Sequence, residues 1–481
     1  MLANSAVGTC DGPYKFERPL VRIAASGGLV GSFVENVRVW VRVLSTHVLA
    51  FWHAYPLTTI CVASMAVRVL FILIFGANAP PIQWGDDPNY DSIATRLVTD
   101  HVYVNTWYPP GYPLFLALVY SVFGRNLIAL RLIQAALGAA TCGLTYRLGR
   151  RLFGEQAGRL AGLLLAFYPG LAYMSWRIMA ETLFIFLLVL ALNLAIGMIE
   201  RPRHRLLQAV ALGLVVGLAQ LVKSNLYVLP FLLVAWAGLA FEGAWRKRLV
   251  LAGTLAVSML VVSIVTPIAN RLTPGGGAAV LPGNAGRTLW LANNPLADGY
   301  YIFADQEPEG KAFIAAHGYT ERLAQANEFE ADRLFRELAL LWIRENPGRF
   351  LVLCAKKLDN AFGLFPRAVT MEGSPGVRAV HILTYGTIAP FALLGMVWTR
   401  RHWRACLPLY LVLVSYVMMV LIFYGTPRFT IIVMPVLIVF ASSPMSTCIE
   451  YLLRVKRSLA SERSTLGVAP GSHAGRQSAG K

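Results

Sequence analysis

This chain is poor in charge. Charged residues make up 14% of its 481, acids are scarcer still at 25 Asp and Glu against 43 Lys and Arg, and 56% of residues are hydrophobic. A surface so poor in charge cannot solvate an ordinary soluble globule, which excludes that class. Cysteine is thin as well. Cys10, Cys61, Cys142, Cys354, Cys406 and Cys448 are scattered, with only Cys354 in the large polar segment, so neither a disulfide framework nor a metal-ligand spacing is visible. Residues 1–27 mix charges without an apolar core and show no small-residue cleavage site, so they do not read as a signal peptide. No internal repeat is visible, which speaks against a transporter built from inverted halves. The net charge of +18 sits in short loops and the tail, where membrane topology accounts for it, and nucleic acid is not an expected partner.

What the chain does have is a series of apolar runs near the roughly 20 residues that a helix needs to cross a bilayer. Candidate spans are 57–76, 126–146, 160–176, 182–199, 206–222, 226–241, 249–269, 379–399, 405–424 and 429–447. The expected fold class is an all-α polytopic membrane protein with about ten spans or more. Basic clusters recur after every second span: Arg147/Arg150/Arg151/Arg159, Arg201/Arg203/Arg205, Arg246/Lys247/Arg248, Arg400/Arg401/Arg404 and Arg454/Lys456/Arg457. Short basic loops stay on the cytoplasmic side. Both termini are then expected inside, and residues 77–125 form the first outer loop. The short apolar stretch Leu114–Phe123 would spoil this alternation if it crossed, and is read as interfacial or re-entrant.

The remaining segments follow from that frame. Residues 1–56 form an N-terminal segment in which Leu29, Phe33, Val37, Trp40 and Leu44 give the stripe of an amphipathic helix on the cytoplasmic face. Residues 57–269 form one transmembrane module, 270–377 an outer region folding as a small cap, 378–447 the last spans, and 448–481 a basic, disordered tail. Within the cap, Gly275-Gly276-Gly277 breaks structure, Asn293-Asn294-Pro295 and Asp298-Gly299 mark turns, and a helical pattern at about 320–345 ends at Asn346-Pro347-Gly348. Residues 350–366 are apolar but carry Lys356, Lys357 and Asp359, and are read as lying on the membrane.

The few acids near apolar runs then carry the interest, because charge near bilayer depth is expensive. Gly85-Asp86-Asp87-Pro88-Asn89-Tyr90-Asp91 follows the first span, and Glu181 tips the hairpin between the third and fourth. Asp87 before Pro88 fits an N-cap and first-turn proline, with Tyr90, Ile93, Ala94, Leu97 and Val98 as the buried stripe of a short helix. That leaves Asp86 without a structural errand, and Asp91 facing water in the first turn. Glu181 admits a second reading, as a helix-start acid favoured by the dipole. Arg177, Lys223 and Arg428 are outer cations, and each reads either as an anchor or as a contact for an anionic ligand. Arg68 and Arg131 lie inside spans, where charges face the bundle interior.

The run Asp86-Asp87-Pro88-Asn89-Tyr90-Asp91-Ser92-Ile93-Ala94 is followed by Tyr108-Pro109-Pro110-Gly111-Tyr112-Pro113-Leu114, Phe123-Gly124, Ala129-Leu130-Arg131-Leu132, Tyr146-Arg147-Leu148, Leu152-Phe153-Gly154 and Ala180-Glu181. In order and spacing this resembles the integral-membrane glycosyltransferases of the GT-C class, in particular bacterial relatives of the dolichyl-phosphate-mannose protein mannosyltransferases and the lipid A aminoarabinose transferase. The resemblance covers roughly residues 57–240. It implies a GT-C-like bundle that moves a sugar from a polyprenyl-phosphate donor to a lipid, glycan or protein acceptor at the outer, periplasmic face of the cytoplasmic membrane. It also implies Asp86 as the catalytic aspartate, Asp87 beside it and Glu181 as the second acid. Where the lipid A branch has a lysine before the paired prolines, this chain has Tyr108, which falls on that phosphate-contacting position.

The chemistry asks for the same residue types. A carboxylate near the attacking hydroxyl takes its proton, the role expected of Asp86. Cations aimed at the leaving phosphate stabilise the charge it gains, and Lys223, Arg177 and Arg131 are the candidates, in that order. Asp86 and Glu181 could share a hard divalent cation, Mg or Mn, although two acids are a thin site. A lipid-linked sugar flippase would instead place its charges near the bilayer midplane, and a glycan polymerase or ligase is a third reading.

Overall fold

The structure, a computed structural model, describes residues 38, 52–81, 85–103, 105, 107–273, 284–365 and 374–465. The chain divides into Met1–Tyr55 and Pro56–Lys481. Of the first unit only Arg38 and residues 52–55 are described, so the amphipathic helix expected over Leu29–Phe51 otherwise falls outside the described residues.

Among the described residues of the second unit, every regular element is a helix. In chain order these are α1 (Pro56–Phe75), α2 (Asp87–Thr99), α3 (Gly111–Phe123), α4 (Leu127–Phe153), α5 (Glu155–Ala166), α6 (Pro169–Trp176), α7 (Glu181–Glu200), α8 (Arg205–Val222), α9 (Leu229–Leu239), α10 (Trp245–Ser263) and α11 (Val265–Leu272). Then follow α12 (Ala285–Ala292), α13 (Pro308–Ala316), α14 (Thr320–Gln325), α15 (Glu328–Glu345), α16 (Pro347–Phe362), α17 (Pro375–Trp398), α18 (Trp403–Ile422) and α19 (Pro427–Thr465). Among the described residues, seven stretches are long and apolar enough to cross a bilayer: Pro56–Phe75, Leu127–Phe153, Glu181–Glu200, Pro202–Val222, Trp245–Leu272, Pro375–Ile422 and Pro427–Leu459. Large apolar side chains such as Leu73, Leu260 and Leu383 point outward from these helices, as lipid as solvent requires. The chain is a polytopic all-α membrane protein.

Each span expected from the sequence coincides with helix, but not always with one long helix. Pro375–Ile422 holds two, α17 and α18, joined by the 3-10 turn Thr399–His402. The expected span 160–176 is split between α5 and the eight-residue α6, because Pro169 has no N–H to continue the ladder and instead starts the new helix. The expected span 226–241 is the 11-residue α9, shorter than a bilayer-crossing helix. At the C-terminus α19 runs on to Thr465, so residues 448–465 are helical, not part of a disordered tail.

Two packing details position the loops that matter. Gly111 opens α3 against the end of α8, where a Cβ would lie 2.7 Å from the Leu221 carbonyl carbon; only glycine lets the Tyr108-Pro109-Pro110 loop approach so closely. Arg131 and Gln134, one turn apart on α4, tie down the neighbouring turns. Arg131 donates to the carbonyls of Trp176 (3.1 Å), Gly76 (3.1 Å), Ala77 (2.7 Å) and Ala79 (2.7 Å), and Gln134 to those of Ser175 (3.0 Å) and Arg177 (2.8 Å). Both side chains are buried, and they satisfy carbonyls that have no helical partner. Arg68 is likewise buried and hydrogen-bonded to Ser64.

The region after α11 has a core of its own, formed by Trp290, Ala304, Ile314, Phe335, Leu338 and Ala339. The helical pattern expected over about 320–345 is two helices, α14 and α15, the second opened by a capping box in which Asn327 and Glu330 bond reciprocally (3.0 and 3.1 Å). Asn346-Pro347 starts α16. That helix exposes Leu351 and Val352 on one side and buries Lys357 on the other.

Candidate active site

Chain segments far apart in sequence converge on a cavity of about 530 Å³. The acidic loop contributes Gly85, Asp86, Asn89 and Tyr90, and the loop before α3 contributes Trp107, Tyr108 and Pro109. The C-terminal end of α8 adds Lys223 and Ser224, the cap adds Asn284, Thr288, Tyr301 and Phe303, and the α18–α19 junction adds Phe423, Tyr424, Arg428 and Phe429. The turn into the acidic loop is made by Gly85 at φ +89°, a conformation that side chains rarely adopt.

Asp86 stands on the wall of this cavity with its carboxylate held from two sides. The Tyr108 hydroxyl donates to Oδ1 at 3.1 Å, and the Asn89 amide donates to the same phenol oxygen at 3.0 Å. A guanidinium nitrogen of Arg428, Nη2, donates to Oδ2. Burial and the Asp86 charge push the Tyr108 phenol well above its ordinary range, and burial with the charges of Asp86 and Glu181 does the same to Tyr90; both stay protonated.

Glu181 lies behind the wall, fully buried at the first residue of α7. Its Oε1 accepts from Arg428 Nε at 2.7 Å and Lys223 Nζ at 3.1 Å, while Oε2 is buried without a hydrogen bond. Asp86 and Glu181 therefore do not share one cavity: only Asp86 borders it, and the two are bridged by one guanidinium, with Lys223 on the second acid. Two acids and two cations balance, which is the arrangement that lets charge persist out of water.

Asp87 has a different task from the one expected. The residue at the N-cap position of α2 is Asp86, which makes no capping bond, while Asp87 is already helical. Its buried carboxylate meets Arg177 in a two-point pair, Nε to Oδ1 at 2.8 Å and Nη2 to Oδ2 at 2.6 Å, and also accepts the Ile178 amide at 3.1 Å. Asp87 thus straps the acidic loop to the turn before α7. Asp91, expected in water, is buried, accepts from Tyr120 at 2.7 Å and pairs with Arg125 at 2.7 Å. In both cases an acid faces a cation that approaches only once the helices pack.

The expected phosphate contacts separate into two groups. Lys223 and Tyr108 line the cavity. Arg177 and Arg131 do not: the first is committed to Asp87, the second to four carbonyls, and neither borders the open space. Sequence reading placed Arg428 among the outer cations without assigning it to the site, although it bridges both acids. Its signal was a lone arginine at the head of the last apolar run, Thr426-Pro427-Arg428-Phe429. For Mg or Mn, each of which takes about six ligands in octahedral geometry, the fit is poor. A guanidinium fills the space between Asp86 and Glu181, and among the described residues no cluster of three or more acids, histidines or cysteines exists.

Residues 108–268 match the dolichyl-phosphate-mannose-protein mannosyltransferase family, a stretch that includes Glu181 and Lys223 but neither Asp86 nor Arg428. No curated protein matches the chain in sequence. In fold, the chain is similar to the apo form of the Archaeoglobus fulgidus oligosaccharyltransferase, with a TM-score of 0.51, 16% identity, and 86% of this chain and 52% of that one covered. Similar too are the same organism's AglB in complex with an inhibitory peptide and a dolichol-phosphate (TM-score 0.47, 16% identity, 88% and 53% covered) and ArnT from Cupriavidus metallidurans bound to undecaprenyl phosphate (TM-score 0.39, 15% identity, 79% and 77% covered). The chain spans about half the length of the archaeal structures it matches. The resemblance to the GT-C class read from the sequence is borne out, and the bundle is GT-C-like.

Proposed function

We propose that this protein is a glycosyltransferase that moves a sugar from a polyprenyl-phosphate donor to a lipid, glycan or protein acceptor. The observation that carries the reading is the cavity wall on which the Asp86 carboxylate stands beside the cations of Lys223 and Arg428. Sugar transfer from a lipid phosphate needs these two kinds of group side by side. The acceptor hydroxyl gives its proton to Asp86 as its oxygen bonds the anomeric carbon. The bond from that carbon to the phosphate oxygen breaks, its electron pair stays on the phosphate, and Lys223 and Arg428 stabilise the added charge. Attack opposite the leaving group inverts the anomeric centre.

The partial match to a family named for a dolichyl-phosphate-mannose donor supports the donor class. The basic loops of the opposite helix ends support an outer-face site in the cytoplasmic membrane, with both termini inside. A flippase would want its charges at mid-bilayer on broken helices, whereas the cavity's charges sit at helix ends. The test is turnover by the detergent-solubilised full chain, supplied with polyprenyl-phosphate-linked hexoses or pentoses and an extract of envelope lipids and glycans as acceptor. Asp86→Asn, nearly isosteric but a far weaker base, should lower turnover by about two orders of magnitude or more with folding retained. Full turnover in Asp86→Asn would refute the carboxylate mechanism.

A further inference from the structure

In the resting site the base is occupied. Arg428 spends Nη2 on Asp86 while its Nε is held by Glu181 at 2.7 Å. A carboxylate whose lone pairs are engaged by a guanidinium is poorly placed to take a proton from an incoming hydroxyl. Glu181 also carries the orphan of the site, an Oε2 that is buried and accepts nothing. Buried acceptors are nearly always satisfied, so one left over at a charged centre asks for an explanation.

Resting on the reading above, we propose that Arg428 is a two-position element: it masks Asp86 until the donor phosphate binds, then turns to the phosphate and frees the base. Glu181 is the pivot. Its hold on Nε keeps the guanidinium in place, and the empty Oε2 supplies the second acceptor that a side-on arginine–carboxylate pair uses once Nη2 leaves Asp86. Lys223, 3.1 Å from Oε1 of the same Glu181, keeps that buried acid neutralised in both positions. The consequence is an order of events. The donor must be in place before Asp86 can accept a proton, so a stray hydroxyl or water entering alone meets a masked base. Arg428 acts as a binding and positioning residue throughout.

The arrangement makes a prediction that runs against intuition. Phosphate and Asp86 compete for the same guanidinium, so removing the base should improve phosphate binding. The experiment is calorimetric titration of the detergent-solubilised full chain with a short-chain polyprenyl monophosphate lacking sugar, for wild type, Asp86→Asn, Arg428→Gln and the double variant. Asp86→Asn should tighten binding about tenfold in the Arg428 background, within the usual range of coupling between sites. In the Arg428→Gln background the gain should shrink to what removal of one negative charge gives directly, and the difference between backgrounds is the competition. Where Arg428→Gln fails to fold, Arg428→Lys replaces it, since a single ammonium cannot divide itself between the two carboxylates in the same geometry. Equal gains in both backgrounds, or no gain with Arg428 present, would overturn the proposal even if Asp86→Asn abolishes turnover. A wild-type protein that binds no polyprenyl phosphate would overturn it together with the function on which it rests.

Discussion

Asp87→Asn offers a sharp test of how the acidic loop is held, because the change keeps the shape and removes only the charge. In the folded protein the Arg177 and Asp87 side chains are 5% and 2% exposed, and three hydrogen bonds meet on the carboxylate, two from the guanidinium and one from the Ile178 amide. Removing one partner of such a buried pair costs about 3–5 kcal/mol, chiefly because the other charge stays buried and uncompensated. Asparagine still offers a carbonyl oxygen, so the lower end, about 3 kcal/mol, is expected. Removing both charges, as in Asp87→Leu with Arg177→Met, should restore much of that loss, since an apolar pair of similar size leaves no charge stranded. Denaturant titration of detergent-solubilised protein gives the three stabilities, of wild type, single variant and double variant, and turnover measured well below the unfolding midpoint gives the activities. A strut predicts stability lost in the single variant and recovered in the double, with turnover per folded molecule falling far less than in Asp86→Asn. An Asp87→Asn protein as stable as wild type but without turnover would show that Asp87 serves the chemistry and that its pairing with Arg177 is incidental.

Two further outcomes can be measured independently. Lys357 is fully buried and donates to Asn293 (2.8 Å) and to the terminal α18 carbonyls of Leu421 (3.1 Å) and Ile422 (3.4 Å), and burial lowers its amine from 10.5 to about 7. Between those two values the unfolded chain binds more protons than the folded one, so this group makes stability rise as pH climbs from about 7 to about 10.5. Lys357→Met should flatten that part of the stability–pH curve relative to wild type, and an unchanged curve would refute the assignment. For topology, single cysteines replacing the exposed Val102 and Glu309, in a background without native cysteines, should react with an impermeant thiol reagent on intact cells, while Arg203→Cys and Arg401→Cys should react only after permeabilisation. Labelling at Arg401→Cys in intact cells would overturn the orientation.

Much of the bundle could be read directly from the chain. Every candidate span coincides with helix because the requirement for about 20 apolar residues is local and additive along the chain. The short helix after Asp86 was legible too, from Pro88 and from the spacing of Tyr90 and Ala94, both buried as expected. Where the reading slipped, the reason is physical. A hydropathy window does not notice that Pro169 breaks one apolar run into two helices, nor that the apolar run ending near residue 447 continues as polar helix to Thr465.

The acids of the loop illustrate the deeper limit. Sequence alone could say that Asp86, Asp87 and Glu181 stand near a membrane surface and that Arg177, Lys223 and Arg428 stand near them, because apolar run lengths and loop charge fix which helix ends lie together. It could not say which acid meets which cation. Asp87 pairs with Arg177 across 90 residues, Glu181 with Arg428 across 247, and Asp86 with the same Arg428 across 342. An ion pair depends on separations of a few ångströms between side chains on different helices, and those follow from how α4, α7, α8 and α19 pack, which no local pattern encodes. So the sequence determined a membrane helix bundle with Asp86, Asp87 and Glu181 at helix ends, while only the tertiary structure decided that one of them faces the cavity, one is a strut and one is a buried anchor for two cations.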